Sequence, residues 1–484
     1  MQIAQKTSDP VINLALDTID IKKQALIFVN AKRSAEKVAE DICKKSSLKS
    51  AELDKLSESV RTVLSKPTKQ CERLAASVKR GIAFHHAGLA AKQKELIEDA
   101  FRSGLVKIIC CTPTLAAGVD LPAFRSIIRD VRRFGMHGMA HIPVLEFLQM
   151  AGRAGRPKYD KFGETIVIAQ TESDKEYIIE RYLKGIPEDI YSKLAVEPVF
   201  RTYLLSLISA RIISSNDSII SFFSKTFWAY QYRDIARMER IIGKTLNQLV
   251  DWGFLQEVNE GFRATMLGKR IAELYIDPLT AFNLLNRLEK ATHTSLKSIS
   301  LLHAVANTLE MRPLLSVKQR EYDEITQKYA LLEPCLLEHE PSMFEPEYED
   351  WLDSIKTALM LEDWIDEKDE EWLLEKYDCR PGEARVKIDT ADWLLYGCHE
   401  LARIMQYQKL LPEITKVRLR LKYGVKEELL PLIRLEGIGR VRARKLFRAG
   451  IKDLGGIRKT SLDKLAEILG SAVAKSVKEQ VGEA

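Results

Sequence analysis

The chain has 484 residues, 46% hydrophobic and 29% charged, with a net charge of +6. That length exceeds what one hydrophobic core holds, so three or four domains are expected. The composition is that of folded protein and excludes a disordered or fibrous chain. No apolar run is long enough to cross a membrane and no basic-then-apolar leader opens the sequence, so a cytoplasmic protein is expected. The seven cysteines (Cys43, Cys71, Cys110, Cys111, Cys335, Cys379, Cys398) form no C-x-x-C pair. Reduced, mostly buried thiols and no metal site follow from that spacing.

In chain order, the apolar run 24–29 (QALIFV) predicts a strand, and AKRSAEKVAEDICKK after it predicts a helix. The same alternation returns with GIAFHH at 81–86, the helical AAKQKELIEDAFRSG, the strand VKIICCT and the strand GETIVIAQ at 163–170. Strands that are apolar throughout and alternate with helices indicate a parallel α/β sheet, here ending near residue 185. Beyond Pro187 the pattern is helical. In LNQLVDWGFLQEVNEGFRATMLGKRIA a helix should end at Gly253, with two short strands flanking Asn259-Glu260-Gly261, which resembles a winged-helix domain. Domains are therefore expected at 1–185, 186–278, 279–411 (a helical bundle) and 412–484.

Charge is uneven. Residues 344–378 carry fourteen acidic against three basic side chains, with Trp351, Trp364 and Trp372 among them, and read as a solvated helix face. Residues 412–484 carry seventeen Lys and Arg against nine Asp and Glu. There PLIRLEGIGRVRARKLFRAG places Gly437 and Gly439 between two expected helices, a helix-hairpin-helix pattern. Its glycines can present backbone N–H groups to a phosphate, with Arg440, Arg442, Arg444 and Lys445 adding charge for sequence-independent contact with a nucleic-acid backbone. A solvated basic helix is the alternative.

The most informative string is Gln149-Met150-Ala151-Gly152-Arg153-Ala154-Gly155-Arg156-Pro157. Closely spaced glycines permit a tight turn, and Arg153 and Arg156 lie three residues apart on one face, where two planar guanidiniums suit a triphosphate. Surface ion pairing is the alternative for an isolated string. Upstream, CTPTLAAGVDLPAF sets Thr112, Thr114, Gly118 and Asp120 after a strand, where α/β sheets place ligands.

Taken in order, QALIFVNAKRSAE, FHHAGL, TPTLAAGVDLP and QMAGRAGRP resemble helicase motifs IV, IVa, V and VI. The chain resembles superfamily-two helicases of the Ski-like branch, nearest the archaeal repair helicases related to HelQ and the helicase domain of polymerase theta. The resemblance implies a multidomain protein: a second RecA-like α/β motor lobe, then winged-helix, helical ratchet and helix-hairpin-helix domains. It further implies Arg156 as arginine finger, Arg153 as a second γ-phosphate contact, Gln149 as a sensor, and Gly118, Asp120 and Gly152 beside the nucleotide. Thr112 and Thr114 would touch the DNA backbone, a turn or helix cap being the alternative for each hydroxyl. SIIRDVRRFGMHGMAHIPV would be a strand-separating hairpin, with arms at Ile-Ile-Arg and Ala-His-Ile and a tip including Met136, His137 and Met139; an ordinary hairpin loop is the alternative. In CRPGEARVKIDTADWLLYGCHELARI, Arg385 and Trp393 match the ratchet helix, where Trp393 either stacks on an unpaired base or packs in the bundle.

No G-x-x-x-x-G-K-[ST] loop occurs and no acidic magnesium motif is read, so ATP with Mg2+ should be held mainly by a first RecA-like lobe, in cis or in trans. The resemblance implies an ATP-dependent DNA helicase, a monomer in the nucleoid, acting 3′ to 5′ on single-stranded and forked DNA. The isolated chain should not hydrolyse ATP. A non-catalytic DNA-binding regulator and an RNA helicase of the same branch are the alternatives.

Overall fold

In the computed structural model residues 3–482 are described, apart from 117–120, 122, 136–137, 156–159 and 260. The chain divides into two compact units, Met1–Ile190 with Glu370–Arg385, and Tyr191–Asp369 with Val386–Ala484.

The first unit is built on a sheet of strands β1 (Ala25–Phe28), β2 (Ile82–His85), β3 (Ile108–Cys111), β4 (Arg125–Ile128) and β7 (Glu164–Val167), in the order β2-β3-β1-β4-β7. Every pairing is parallel; Ile27 faces Cys110 on one side and Ile127 on the other. All residues of β1 to β4 are buried, which is why they read as unbroken apolar runs. Leu26, Ile27 and Phe28 are at most 1% exposed, each burial favouring the fold by about 1.5–3 kcal/mol. Helix Pro10–Asp20 starts where Asp9 accepts from the Val11 N–H and Pro10 fixes the first turn.

Arg125 is 0% exposed, and its guanidinium is spent on Asp17 (2.6 Å), Thr18 (3.0 Å) and Glu164 (2.5 Å). A buried cation is tolerated only when so paired. This strand corrects the expected hairpin: Ile127 and Ile128 belong to β4, inside the sheet between β1 and β7. The hairpin arms are β5 (Arg132–Gly135) and β6 (Gly138–His141), antiparallel, with Gly135 opposite Gly138.

In the second unit, helices Glu197–Ser209, Asn216–Phe223, Phe227–Tyr232 and Ile235–Asp251 precede the antiparallel pair β8 (Leu255–Val258) and β9 (Gly261–Ala264). This is the winged-helix arrangement. Arg201, on its first helix, forms a buried bidentate pair with Asp277. A bundle follows, with helices Pro278–Ala291, Ser298–Ala306, Tyr322–Leu332 and Glu347–Ile365, the greater part of Pro381–Ile404, and Leu410–Tyr423. A separate apolar cluster from Val425 to Val481 holds the C-terminal helices. Before the 437–439 turn the chain makes only 3-10 turns, Glu427–Leu429 and Leu432–Arg434, instead of the expected helix, because Pro431 interrupts it.

The acidic run is not a plain solvated face. Trp351 is 3% exposed against His303 and Tyr329. Asp350 pairs with Arg312, Asp366 with Arg420 and Glu367 with Arg444. Cations distant in sequence meet these carboxylates, which a local reading does not see. Among the described residues no helix is long and apolar enough to cross a membrane, and no His, Cys, Asp and Glu group is placed to hold a metal ion.

Candidate nucleotide- and DNA-binding sites

At the carboxyl end of β3 the chain turns at Thr112 into the 3-10 turn Pro113–Ala116. The Thr112 N–H donates to the His85 carbonyl (3.3 Å), and the Thr112 and Thr114 hydroxyls lie 2.9 Å apart, Thr114 being exposed. Helix Val144–Ala151 buries Val144, Phe147 and Met150 and leaves Gln149 exposed. Ser126 fastens that helix to β4 by donating to the Met150 carbonyl (2.7 Å). Beyond Gly152, the Ala123 N–H donates to the Arg153 carbonyl (2.9 Å) and the Gly155 N–H to the Ala123 carbonyl (2.6 Å). Gly155 has φ +94, and a Cβ on Gly163 would come within 2.2 Å of the Gly155 nitrogen, so both positions require glycine.

The Arg153 guanidinium donates through Nε to the Ala116 carbonyl (3.0 Å), and a second nitrogen reaches the same oxygen. It thus clasps motif VI to motif V through two of its nitrogens. Arg156, Gly118 and Asp120, expected beside the nucleotide, and Met136 and His137, expected at the hairpin tip, lie outside the described residues. Met139, beside that tip, is 61% exposed. The hairpin base is tied down. Asn30 donates to the Arg132 carbonyl (3.2 Å), Arg133 pairs with Glu146 (2.8 Å), and Arg132 donates to His141 Nε2 (3.1 Å). Burial, then Arg132 and Arg181, lower the His141 pKa, which suits an imidazole accepting from a guanidinium.

Sequence reading missed a second cluster in this unit. Glu36, 3% exposed, accepts from Gln70 (3.0 Å), His86 Nε2 (3.2 Å) and Arg73 (2.7 Å), with Arg380 Nε at 3.4 Å. His86 Nδ1 accepts from the Gly88 N–H (3.2 Å), which places the ring proton on Nε2, facing Glu36. Burial raises the Glu36 pKa, but hydrogen bonds from His86 and Gln70 and the charges of Arg380 and Arg73 prevail and hold it at about 2. The Gly382 N–H donates to the Gly88 carbonyl (3.0 Å). The available signal was Glu36 itself, an acid beside the apolar stripe Ala35, Val38, Ala39 and Ile42.

Arg385 and Trp393 lie on helix Pro381–Ile404; Arg385 is exposed and Trp393 half-buried. The Trp393 indole N–H donates to the Leu274 carbonyl (3.0 Å), fixing the ring edge while part of the ring stays accessible. Lys387, two residues beyond Arg385, is buried and donates to the Pro313 carbonyl (2.5 Å).

In the C-terminal domain Gly437 has φ +80, and a Cβ at Gly437 or Gly439 would meet open space. The hairpin backbone is accessible there, at the start of helix Arg440–Arg448. The four expected cations divide by helical face. Arg440 lies over the Trp364 ring (5.0 Å) and donates to the Lys368 carbonyl, while Arg444 chelates Glu367 and reaches Glu428. Lys445 and Arg442 are exposed, Arg442 also donating to the Gly437 carbonyl (2.8 Å). The string Asp366-Glu367-Lys368-Asp369 does spell Asp-Glu-x-Asp, an acidic magnesium motif not read from the sequence. It follows a helix instead of a strand, and its first two carboxylates are engaged by Arg420 and Arg444.

Three family models match the chain: a helicase conserved C-terminal domain over residues 61–158, a helix-turn-helix domain over 163–256, and domain 4 of an archaeal helicase over 299–424. The chain is similar to the ATP-dependent DNA helicase Hel308 of Pyrococcus horikoshii, 37% identical over 478 residues, which are 97% of this chain and 65% of that protein. It is also similar to Hel308 of Methanocella arvoryzae (36%, covering 98% and 65%) and of Methanococcus vannielii (35%, covering 97% and 67%). The chain thus spans about two thirds of the length of these relatives.

Proposed function

The chain belongs to the Hel308 family of ATP-dependent DNA helicases, and from that premise we propose that it supplies the second motor lobe and the DNA-handling domains of an enzyme that unwinds forked DNA. The observation that carries the reading is the pairing of motifs V and VI at the edge of a parallel sheet, where Arg153 joins Ala116 and Gly155 joins Ala123. Such an edge offers hydroxyls and guanidiniums to phosphates, and the sequence carries no G-x-x-x-x-G-K-[ST] loop to cradle them. A first lobe therefore holds ATP and Mg2+, and this lobe adds Arg156, with Arg153 and Gln149, against charge developing on the transferred phosphoryl oxygens. Gly118, Asp120 and Gly152 line the nucleotide.

Thr112, Thr114, the β5–β6 hairpin with Met136, His137 and Met139, and Arg385 and Trp393 contact the unwound strand. Gly437, Gly439, Arg442 and Lys445 hold backbone phosphates, whereas Arg440 and Arg444 chiefly position the helix that bears them. Movement is 3′ to 5′, and the enzyme acts as a cytoplasmic monomer at the nucleoid. ATP hydrolysis by the purified chain, with and without single-stranded DNA, tests this division of labour. The expected result is no turnover, together with tighter binding of a forked DNA than of an RNA fork of the same sequence. DNA-stimulated turnover by the chain alone contradicts the division, and preference for RNA contradicts the substrate.

A further inference from the structure

Residues Glu370–Arg385 are far from the motor lobe in sequence yet belong to its compact unit. They are fastened at both ends. Glu371 accepts from the Lys69 N–H (2.8 Å), Asp378 pairs with Arg33 (2.8 Å), and Glu383 pairs with Lys32. At the centre, Gly88 and Gly382 meet backbone to backbone. A Cβ on Gly382 would lie 2.3 Å from the Leu89 carbonyl oxygen and 2.4 Å from that of Ala87, and one on Gly88 would strike the Arg380 side chain. Beside this contact Arg380, 8% exposed, places its guanidinium against Glu36, which His86 also holds.

Two features make this more than packing. Pro381 begins the helix that carries Trp393, so Gly382 and the stretch proposed to hold DNA share one helix. On the other side, His86 directly follows β2, whose last residue accepts through its carbonyl from the Thr112 N–H of motif V. We propose that the Gly88–Gly382 contact, locked by Arg380 on Glu36, is a joint through which a single strand held on the Pro381–Ile404 helix alters motif IVa and, through it, motif V. Arg380 and Glu36 are positioning residues in this scheme. The inference rests on the proposed role of that helix in holding DNA.

Amide hydrogen exchange on the full chain, with and without a single-stranded oligothymidine, separates the claims. In the wild-type protein the oligonucleotide slows exchange along 386–404 and also at 82–89 and Gly382. In Arg380→Met the slowing along 386–404 persists, whereas that at 82–89 falls by about tenfold, a usual scale of coupling between sites. Arg380→Lys, which keeps a cation against Glu36, restores part of it, and Glu36→Gln repeats the loss should Arg380→Met fold poorly. An undiminished response at 82–89 in both Arg380→Met and Glu36→Gln overturns the joint. Protection along 386–404 alone in the wild type overturns it while leaving the DNA reading intact. Protection in neither segment removes the DNA reading and the joint with it.

Discussion

Replacing Glu36 by glutamine should remove a pH-dependent part of the motor lobe's stability. The carboxyl is buried, and His86, Gln70, Arg380 and Arg73 outweigh that burial to hold its pKa at about 2, against 4.5 for the free group. A carboxyl whose pKa falls on folding stabilises the fold above its unfolded value, and that contribution is lost as pH drops through the folded value. At about 1.4 kcal/mol per pH unit, the difference is worth about 3 kcal/mol near pH 7. By about pH 3.5 roughly 1.5 kcal/mol of this is already gone, because the unfolded carboxyl has taken up its proton while the folded one has not. The assay is denaturant unfolding of the wild type and Glu36→Gln at these two pH values. The stability gap should shrink by about 1.5 kcal/mol at the lower pH. A gap that is the same at both would mean that Glu36 is not held as a strongly paired carboxylate, and the reasoning would fail.

Arg442→Ala with Lys445→Ala should weaken duplex binding and flatten the slope of log affinity against log salt by about 1.8, whereas Arg444→Ala should leave the slope unchanged and lower stability by about 1.5–3 kcal/mol, read by salt-series titrations and thermal melts. Trp393→Ala should weaken single-strand binding by about 1–3 kcal/mol, and Trp393→Phe should largely retain binding while losing about 1 kcal/mol of stability with the Leu274 hydrogen bond. A melt of Trp393→Ala lowered by about 3–5 kcal/mol with normal affinity would assign the ring to packing. Gly163→Ala should destabilise the motor lobe by about 1–3 kcal/mol, because the new Cβ collides with the Gly155 backbone; an unchanged melt would contradict that close approach.

Three strands of the sheet were legible because strands buried on both faces spell continuous apolar runs, as in 24–29 and 107–112, and the partly exposed edge strand Glu164–Val167 was legible from its β-branched residues. The fifth, Arg125–Ile128, was mistaken for a hairpin arm. Arg125 breaks its apolar run, and the partners that make its burial tolerable, Asp17 and Glu164, are remote in sequence. Distance also concealed the Glu36 cluster, whose members come from four separate segments. In the C-terminal helix the spacing of Arg440 and Arg444 against Arg442 and Lys445 already implied two faces. Which face packs was decided by Trp364 and Glu367, acidic-run residues that looked merely solvated.

The central claim is that this lobe contributes arginines to ATP hydrolysis completed by another lobe. The direct measurement is ATP turnover on single-stranded DNA by the chain joined to a first motor lobe, for the wild type and Arg156→Ala, with DNA affinity measured in parallel. Turnover should appear on joining and fall by about 10³ or more in Arg156→Ala, the scale of an arginine finger, with affinity unchanged. Equal turnover by the two joined proteins would contradict the account.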